Sequence, residues 1–199
     1  MVTVTLGKTG ITVNKNGFGA LPIQRISKED AAYLLRKAYD SGVNFFDTAR
    51  AYSDSEEKVG YAFRGIREKL YISTKTAAQN ADDFWKDLHT SLTNLQTDYV
   101  DILQFHNPAF CPRPGDGTGL YEAMVKAKEE GKGKGSTCRS KQHKRGSTVR
   151  KLNMFSSGSC LCVSGEFFYC FLSQAFRSAL ANYSLKSFWI ICVAPIKAV

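Results

Sequence analysis

The stretch Val43-Asn44-Phe45-Phe46-Asp47 decides the fold, because it is an apolar, strand-like run that ends on a carboxylate. Two later runs have the same plan: Leu70 to Lys75 ends on an ammonium, and Val100 to His106 ends on an imidazole. Tyr52 follows in the loop beyond the first run. In a parallel barrel of βα units, the carboxyl ends of the strands meet on the face where active sites lie. The pattern therefore predicts that these four groups converge.

Amphipathic, helix-like stretches separate the strand-like runs. In the first, Ser27 is placed to cap a helix and Gly42 to end it. Ser53 or Asp54 can cap the second. The apolar stripes consist of Ala31, Leu34, Leu35, Ala38 and Tyr39 in the first helix, Val59, Ala62 and Phe63 in the second, Phe84, Leu88, Leu92 and Leu95 in the third, and Leu120, Met124 and Ala127 in the fourth. Strands that alternate with helices predict parallel βαβ units.

The fold class predicted is α/β, of the (β/α)8 TIM-barrel type, but incomplete. An N-terminal hairpin, with strands at 2–6 and 11–13, precedes about four βα units and a divergent tail. The glycines of the segment 17–21 suggest a close approach of backbone to a ligand or a neighbouring element. A doubly wound sheet would fit the alternation equally well. The polar residues at successive strand ends favour the barrel.

Charge divides the chain into two predicted parts. Residues 1–132 carry 17 basic and 17 acidic residues, whereas residues 133–199 carry 10 basic residues and a single acid, Glu166. We expect 1–132 to be the N-terminal half of a barrel and 133–199 to be a basic, Cys-rich divergent tail, flexible from Gly131 to Thr137. We do not favour a nucleic-acid arm, since the tail's aromatic residues at 167–171 lie apart from its basic stretch.

Several other classes of protein are disfavoured by the sequence. The six cysteines match no zinc, iron–sulfur or redox spacing, so we expect free thiols and no metal site. The N-terminus lacks the zones of a signal peptide, and the longest apolar stretch is too short for a membrane span. These features predict a cytoplasmic protein with no membrane partner.

The four converging groups form a proton-transfer set. A free phenol has a pKa of about 10, and a neighbouring ammonium favours the phenolate. A carboxylate keeps a buried ammonium charged, and an imidazole can donate a hydrogen bond to a carbonyl oxygen. Taken singly, each residue has a plainer explanation: Asp47 caps a turn, Tyr52 packs in a loop, Lys75 is solvated and His106 is a satisfied loop histidine. Together they suit protonation of an oxygen while a cofactor delivers hydride to the adjoining carbon.

Residues 5–132, about two thirds of the chain, resemble the first half of an aldo-keto reductase. The resemblance is carried by the stretches Leu6 to Gly10, Gly17 to Arg25, Asn44 to Tyr52 with Ser55-Glu56-Glu57, Ser73-Thr74-Lys75, and Asp98 to Asp101 leading to His106-Asn107-Pro108.

The resemblance implies reduction of an aldehyde or ketone with NADP or NAD as cofactor and a small carbonyl compound as substrate. It makes Tyr52 the general acid, with Lys75, Asp47 and His106 as its catalytic partners. It also implies that Gly19, Ala20, Asp47 and Asn107 lie where the family approaches its nicotinamide.

The resemblance ends near residue 132, although the family needs four more βα units. We interpret the tail as the product of a shifted reading frame or a misplaced gene boundary near residues 132–138, which translation of the other two frames would test. A truncated half barrel leaves strand edges unpaired, which argues against activity and favours a homodimer that covers them. The alternative functions are a non-catalytic relative that binds nicotinamide or a partner, and an inactive fragment.

Overall fold

The computed structural model describes residues 2–6, 9–108, 110–138 and 193–195. The chain begins with strands β1 (Thr3–Thr5) and β2 (Thr12–Asn14), which pair in antiparallel fashion with Val4 opposite Val13. This is the predicted N-terminal hairpin. Its apolar side chains pack against Ile102, with Phe45 and Tyr71 nearby. The hairpin is thereby anchored to the main sheet.

The main part of the chain alternates strands with helices, as predicted. The strands are β3 (Asn16–Gly19), β4 (Phe45–Asp47), β5 (Tyr71–Thr76), β6 (Val100–Phe105), β7 (Gly133–Cys138) and β8 (Val193–Pro195). The helices are α1 (Lys28–Asp40), α2 (Ser55–Ala62), α3 (Ala81–Leu95) and α4 (Leu120–Glu129), and short 3₁₀ helices span Pro22–Arg25 and Arg67–Lys69. None of the helices in this described part has the length and apolar character needed to cross a membrane.

The order of the strands decides between the two architectures that the sequence left open. Strands β3, β4, β5, β6 and β7 lie side by side in chain order, and every adjacent pair among them is parallel. A doubly wound sheet would instead reverse its order at a switch point. The consecutive order is that of a (β/α)8 barrel, and the described strands form an unclosed part of one.

Local sequence explains where the helices begin. The Ser27 hydroxyl accepts a hydrogen bond from the backbone N–H of Asp30 (3.0 Å), and the Asn80 side chain caps α3 in the same way through Asp83 (2.9 Å). The second helix differs from the sequence expectation. Asp54 occupies its N-cap position, but the carboxylate makes no capping bond and pairs instead with Lys58 at 2.8 Å.

The core lies between the sheet and the helices. Phe46 of β4 is fully buried and stacks on Phe63, with ring centroids 4.4 Å apart, and on Phe18, at 5.8 Å. The stripes predicted for α1, α3 and α4 are buried against the same core, except that Tyr39 is only partly buried. Burial of a large apolar side chain contributes about 1.5–3 kcal/mol. This layer therefore supplies most of the favourable free energy of folding.

One segment expected to be flexible is a strand instead. Residues 133–138 form β7, which pairs in parallel with β6, and Lys134 Nζ lies 3.0 Å from the buried Asp101 carboxylate. Backbone pairing needs no apolar side chain, so a sequence rich in Gly, Ser and Lys can still extend a sheet. β8 adds an antiparallel strand to β3. The rest of the tail, 139–192 and 196–199, lies outside the described residues, and a domain boundary at 132 stays a prediction.

Candidate active site

The carboxyl ends of β4 and β5 bring Asp47 and Lys75 together. Lys75 Nζ lies 2.5 Å from Asp47 Oδ2 and donates a second hydrogen bond to the backbone oxygen of Thr48 at 2.8 Å. The Lys75 side chain is 14% exposed and the Asp47 side chain 30%. Two of the three ammonium donors are thus bound to oxygens in a partly desolvated place.

Tyr52 and His106 complete the group. The Tyr52 ring centroid lies 5.2 Å from Lys75 Nζ, and the His106 ring meets the Tyr52 ring edge-on at a centroid distance of 5.6 Å. The structure therefore brings all four predicted residues together. They come from three strand ends, not four. Asp47 is the last residue of β4, and Tyr52 lies in the loop that follows the same strand.

Backbone hydrogen bonds fix the loop that carries Tyr52. The N–H of Thr48 donates to Ser73 O (2.8 Å) and the N–H of Arg50 donates to Lys75 O (2.9 Å), so the loop continues the ladder between β4 and β5. The Tyr52 N–H then donates to Ala49 O at 3.0 Å. The phenol is thus presented from backbone that is held at several points.

The residues expected near a cofactor lie around the same mouth. Gly19 pairs in register with Asp47 at the ends of β3 and β4. Ala20 is fully buried; its N–H donates to Asp47 O (2.8 Å) and its carbonyl accepts from the Ser55 hydroxyl (2.8 Å), which places it in the wall behind Asp47. Asn107 is exposed and has a φ of 49°. Gly19 and Asn107 therefore retain surface that a ligand can reach.

The polar residues behind the site were not among the predicted site residues, and the sequence indicated for Glu56 only a favourable interaction with the dipole of α2. Glu56 is fully buried, forms an ion pair with Arg50 and accepts a hydrogen bond from the Thr74 hydroxyl at 2.6 Å. Ser55 is also buried and shares a hydrogen bond with Thr48 at 2.9 Å. The sequence showed two adjacent acids in the first turn of α2. Helical spacing is the signal that separates them, because Glu56 lies three and seven residues before Val59 and Phe63 of the predicted apolar stripe, whereas Glu57 lies off it.

The described residues contain no group of three or more His, Cys, Asp or Glu side chains placed to hold a metal ion. Cys111, the one cysteine whose side chain is described, is partly buried and packs against the main core. The four converging groups offer this mouth acid–base chemistry from their own side chains.

Comparison with known proteins agrees with the geometry. The sequence model described as "Aldo/keto reductase family" matches residues 15–149. The chain belongs to the aldo/keto reductase family. The described part of the fold, with its parallel sheet, α/β pattern and unclosed barrel, is consistent with this membership.

Individual members of the family show how far the similarity reaches. L-galactose dehydrogenase of Arabidopsis thaliana is 33% identical over 142 residues, which is 64% of this chain and 44% of that protein. A rice protein named "Probable voltage-gated potassium channel subunit beta" is 33% identical over 138 residues, 61% of this chain and 40% of its own length. The aldo-keto reductase of Klebsiella pneumoniae, solved in complex with NADPH, superposes with a TM-score of 0.60 at 29% identity, over 70% of this chain and 50% of that one. The chain thus spans less than half the length of these curated relatives.

Proposed function

We propose that this aldo/keto reductase family chain contributes the acid–base groups for reduction of a small aldehyde or ketone by a nicotinamide cofactor. The observation that carries the proposal is the convergence of Asp47, Lys75, Tyr52 and His106 at one mouth of the sheet. A carbonyl oxygen that receives negative charge needs a proton donor and an oriented dipole, and this group of residues contains both.

Each residue has a distinct task in the proposed reaction. The Tyr52 phenol donates its proton to the carbonyl oxygen of the substrate. Lys75 stabilises the phenolate that is left, because its ammonium lies beside the ring. Asp47 holds that ammonium in place through the 2.5 Å ion pair. His106, edge-on to Tyr52, orients the carbonyl by a hydrogen bond.

The residues at the mouth fit a nicotinamide cofactor. Gly19 has no side chain to obstruct a flat ring beside Asp47, and the Asn107 amide has the donor and the acceptors needed to hold a carboxamide. Ala20 supports the wall behind them. NADP or NAD, when bound, supplies the hydride that no side chain can provide. The NADPH complex of the Klebsiella pneumoniae relative supports this assignment.

The test is Tyr52→Phe, which removes one hydroxyl and keeps the ring. We expect carbonyl-dependent loss of nicotinamide absorbance to fall by about 10²–10⁴-fold, the usual contribution of a positioned proton donor. Tyr33→Phe is the matched control, since Tyr33 is 51% exposed on α1 and far from the mouth in the fold. Turnover that survives Tyr52→Phe would remove the phenol from its assigned role.

A second candidate function is binding without turnover. The similarity to a protein named as a potassium channel subunit favours a partner-binding relative that keeps the fold. This candidate predicts that the chain binds NADPH, seen as a change in nicotinamide fluorescence, while no carbonyl compound is consumed. An inactive fragment would give neither signal. The fluorescence titration and the turnover assay together separate the three.

A homodimer forms part of the proposal. Among the described strands, β7 and β8 each have a single neighbour in the sheet, so each has one side that no described strand covers. Exposed strand edges promote pairing with another chain. A second copy is therefore the proposed partner, with the domain boundary at residue 132 close to the edge that it would cover.

A further inference from the structure

Glu56 is a buried charged group whose presence the proposed chemistry does not explain. It lies in the first turn of α2, and its side chain is fully buried. Its neighbour Glu57 is exposed in the same turn and already serves the helix dipole. Burial of a carboxylate is costly unless the group is paired and hydrogen-bonded. We therefore expect Glu56 to have a role that depends on the groups it binds.

Both strong partners of Glu56 are close neighbours of the catalytic candidates. The Thr74 hydroxyl donates to Oε1 at 2.6 Å, and Thr74 immediately precedes Lys75 on β5. The Arg50 guanidinium pairs with Oε2, and Arg50 lies two residues before Tyr52. The Arg50 N–H also donates to Lys75 O at 2.9 Å. One carboxylate thus ties the end of β5 to the loop that presents the phenol.

We infer that Glu56 is a positioning residue that holds the Tyr52 loop against the end of β5 through Arg50. The inference rests on the proposed function for its catalytic consequence, but not for its geometric one. The Arg50 side chain is 24% exposed, so without the Glu56 charge it can turn to water. The loop then loses the ion pair between Arg50 and Glu56 that holds it, and the Tyr52 phenol moves relative to Lys75 and His106.

The test is Glu56→Gln, which keeps the shape of the side chain and removes its charge. NMR of the full chain, with the Tyr52 ring signals assigned by their loss in Tyr52→Phe, reports the geometry directly, because the His106 ring lies edge-on 5.6 Å away. We expect the ring signals of Tyr52 to shift. We also expect kcat to fall about 10–100-fold with KM within about twofold, as for a slightly misplaced proton donor.

Asp101→Asn is the matched control. Asp101 is a carboxylate with a 1% exposed side chain that pairs with Arg67 at 2.7 Å, but it lies at the start of β6, away from the mouth. Loss of either carboxylate lowers the melting temperature. Only Glu56→Gln moves the Tyr52 signals and kcat if Glu56 positions the phenol. Equal effects of the two variants on those readouts would overturn the inference, since they would show a general loss of packing.

Arg50→Gln provides a second route if Glu56→Gln does not fold. It cuts the same ion pair from its partly exposed end and should give the same shift of the Tyr52 signals. Unchanged Tyr52 signals in a folded Arg50→Gln protein overturn the inference. Absence of turnover in the wild-type chain would defeat the proposed function alone, because the NMR comparison still decides whether Glu56 holds the loop.

Discussion

The Lys75 side chain connects the groups at the mouth. It pairs with Asp47, bonds to Thr48 O and lies over the Tyr52 ring. Its replacement by Met keeps the stem and removes the charge. The phenolate then loses the cation beside it, which makes proton donation less favourable.

We therefore expect Lys75→Met to lower kcat by about a hundredfold or more, measured as carbonyl-dependent nicotinamide oxidation. Lys69→Met, at an exposed position just before β5, is the control and should retain turnover. A Lys75→Met protein with wild-type kcat would show that the ammonium acts in structure alone.

Asp116 offers a prediction about pH. Hydrogen bonds from the Thr118 hydroxyl, from the Arg113 N–H and from the Thr118 N–H lower the pKa of the Asp116 carboxyl. A pKa that is lower in the folded chain gives stability that is present above the unfolded pKa and lost as pH falls through the folded pKa. The Asp116 carboxyl is fully exposed, so its titration affects only the loop in which it lies.

Thr118→Val should raise the pKa of Asp116 part of the way to its ordinary value, because the two backbone donors remain. A pH titration of the carboxyl carbon by NMR measures this change. Glu130 is the internal control, since its pKa is lowered chiefly by a hydrogen bond from Lys132 and should not move. An unchanged Asp116 titration would mean that the hydroxyl is not the main cause.

Helices α2 and α3 approach closely at Gly60. A Cβ at this position would lie 2.7 Å from the carbonyl carbon of Leu95, a distance that real side chains do not reach. Gly60→Ala should therefore push the two helices apart and cost about 1–3 kcal/mol in the free energy of unfolding, measured by urea denaturation. Gly133→Ala is the control, because nothing lies within 4 Å of its Cβ position, and its effect should stay within about 1 kcal/mol.

The capping bond of Asn80 gives a further prediction for the helices. Its side chain accepts from the Asp83 N–H at 2.9 Å and satisfies a donor at the start of α3. Asn80→Ala should lower the free energy of unfolding by about 1 kcal/mol, while Gln79→Ala at the exposed preceding position should leave it unchanged. Equal denaturation midpoints for the two variants would contradict this account of the cap.

The elements that could be predicted from the sequence are those whose signals are local. Ser27 and the stripe of α1 identify a helix without any knowledge of the partner that it packs on. The strand β7 could not be found this way, because its residues become a strand only through pairing with β6. The positions of Asp47, Lys75 and His106 followed from parallel topology. The contacts that accommodate the buried Glu56 did not follow from that topology, because Arg50 and Thr74 meet its carboxylate only in the folded structure.

At the scale of the whole molecule, β7 and β8, each with one neighbour among the described strands, predict self-association. Sedimentation velocity over a range of concentrations should show a dimer that persists on dilution, because the pairing of the strand edges would be lost on separation. A monomer at all concentrations would contradict the proposed homodimer. It would leave the assignment of the four converging residues untouched.

The consecutive order of β3 to β7 has a consequence for synthesis on the ribosome. Each new parallel strand pairs with the one translated just before it, so every unit can dock as it emerges, without waiting for distant sequence. Asp47, Tyr52, Lys75 and His106 are therefore all available for assembly before β7 has been translated. The pairing of β8 with β3 is the exception, since it joins segments that are far apart in the sequence and can form only after β8 has been translated.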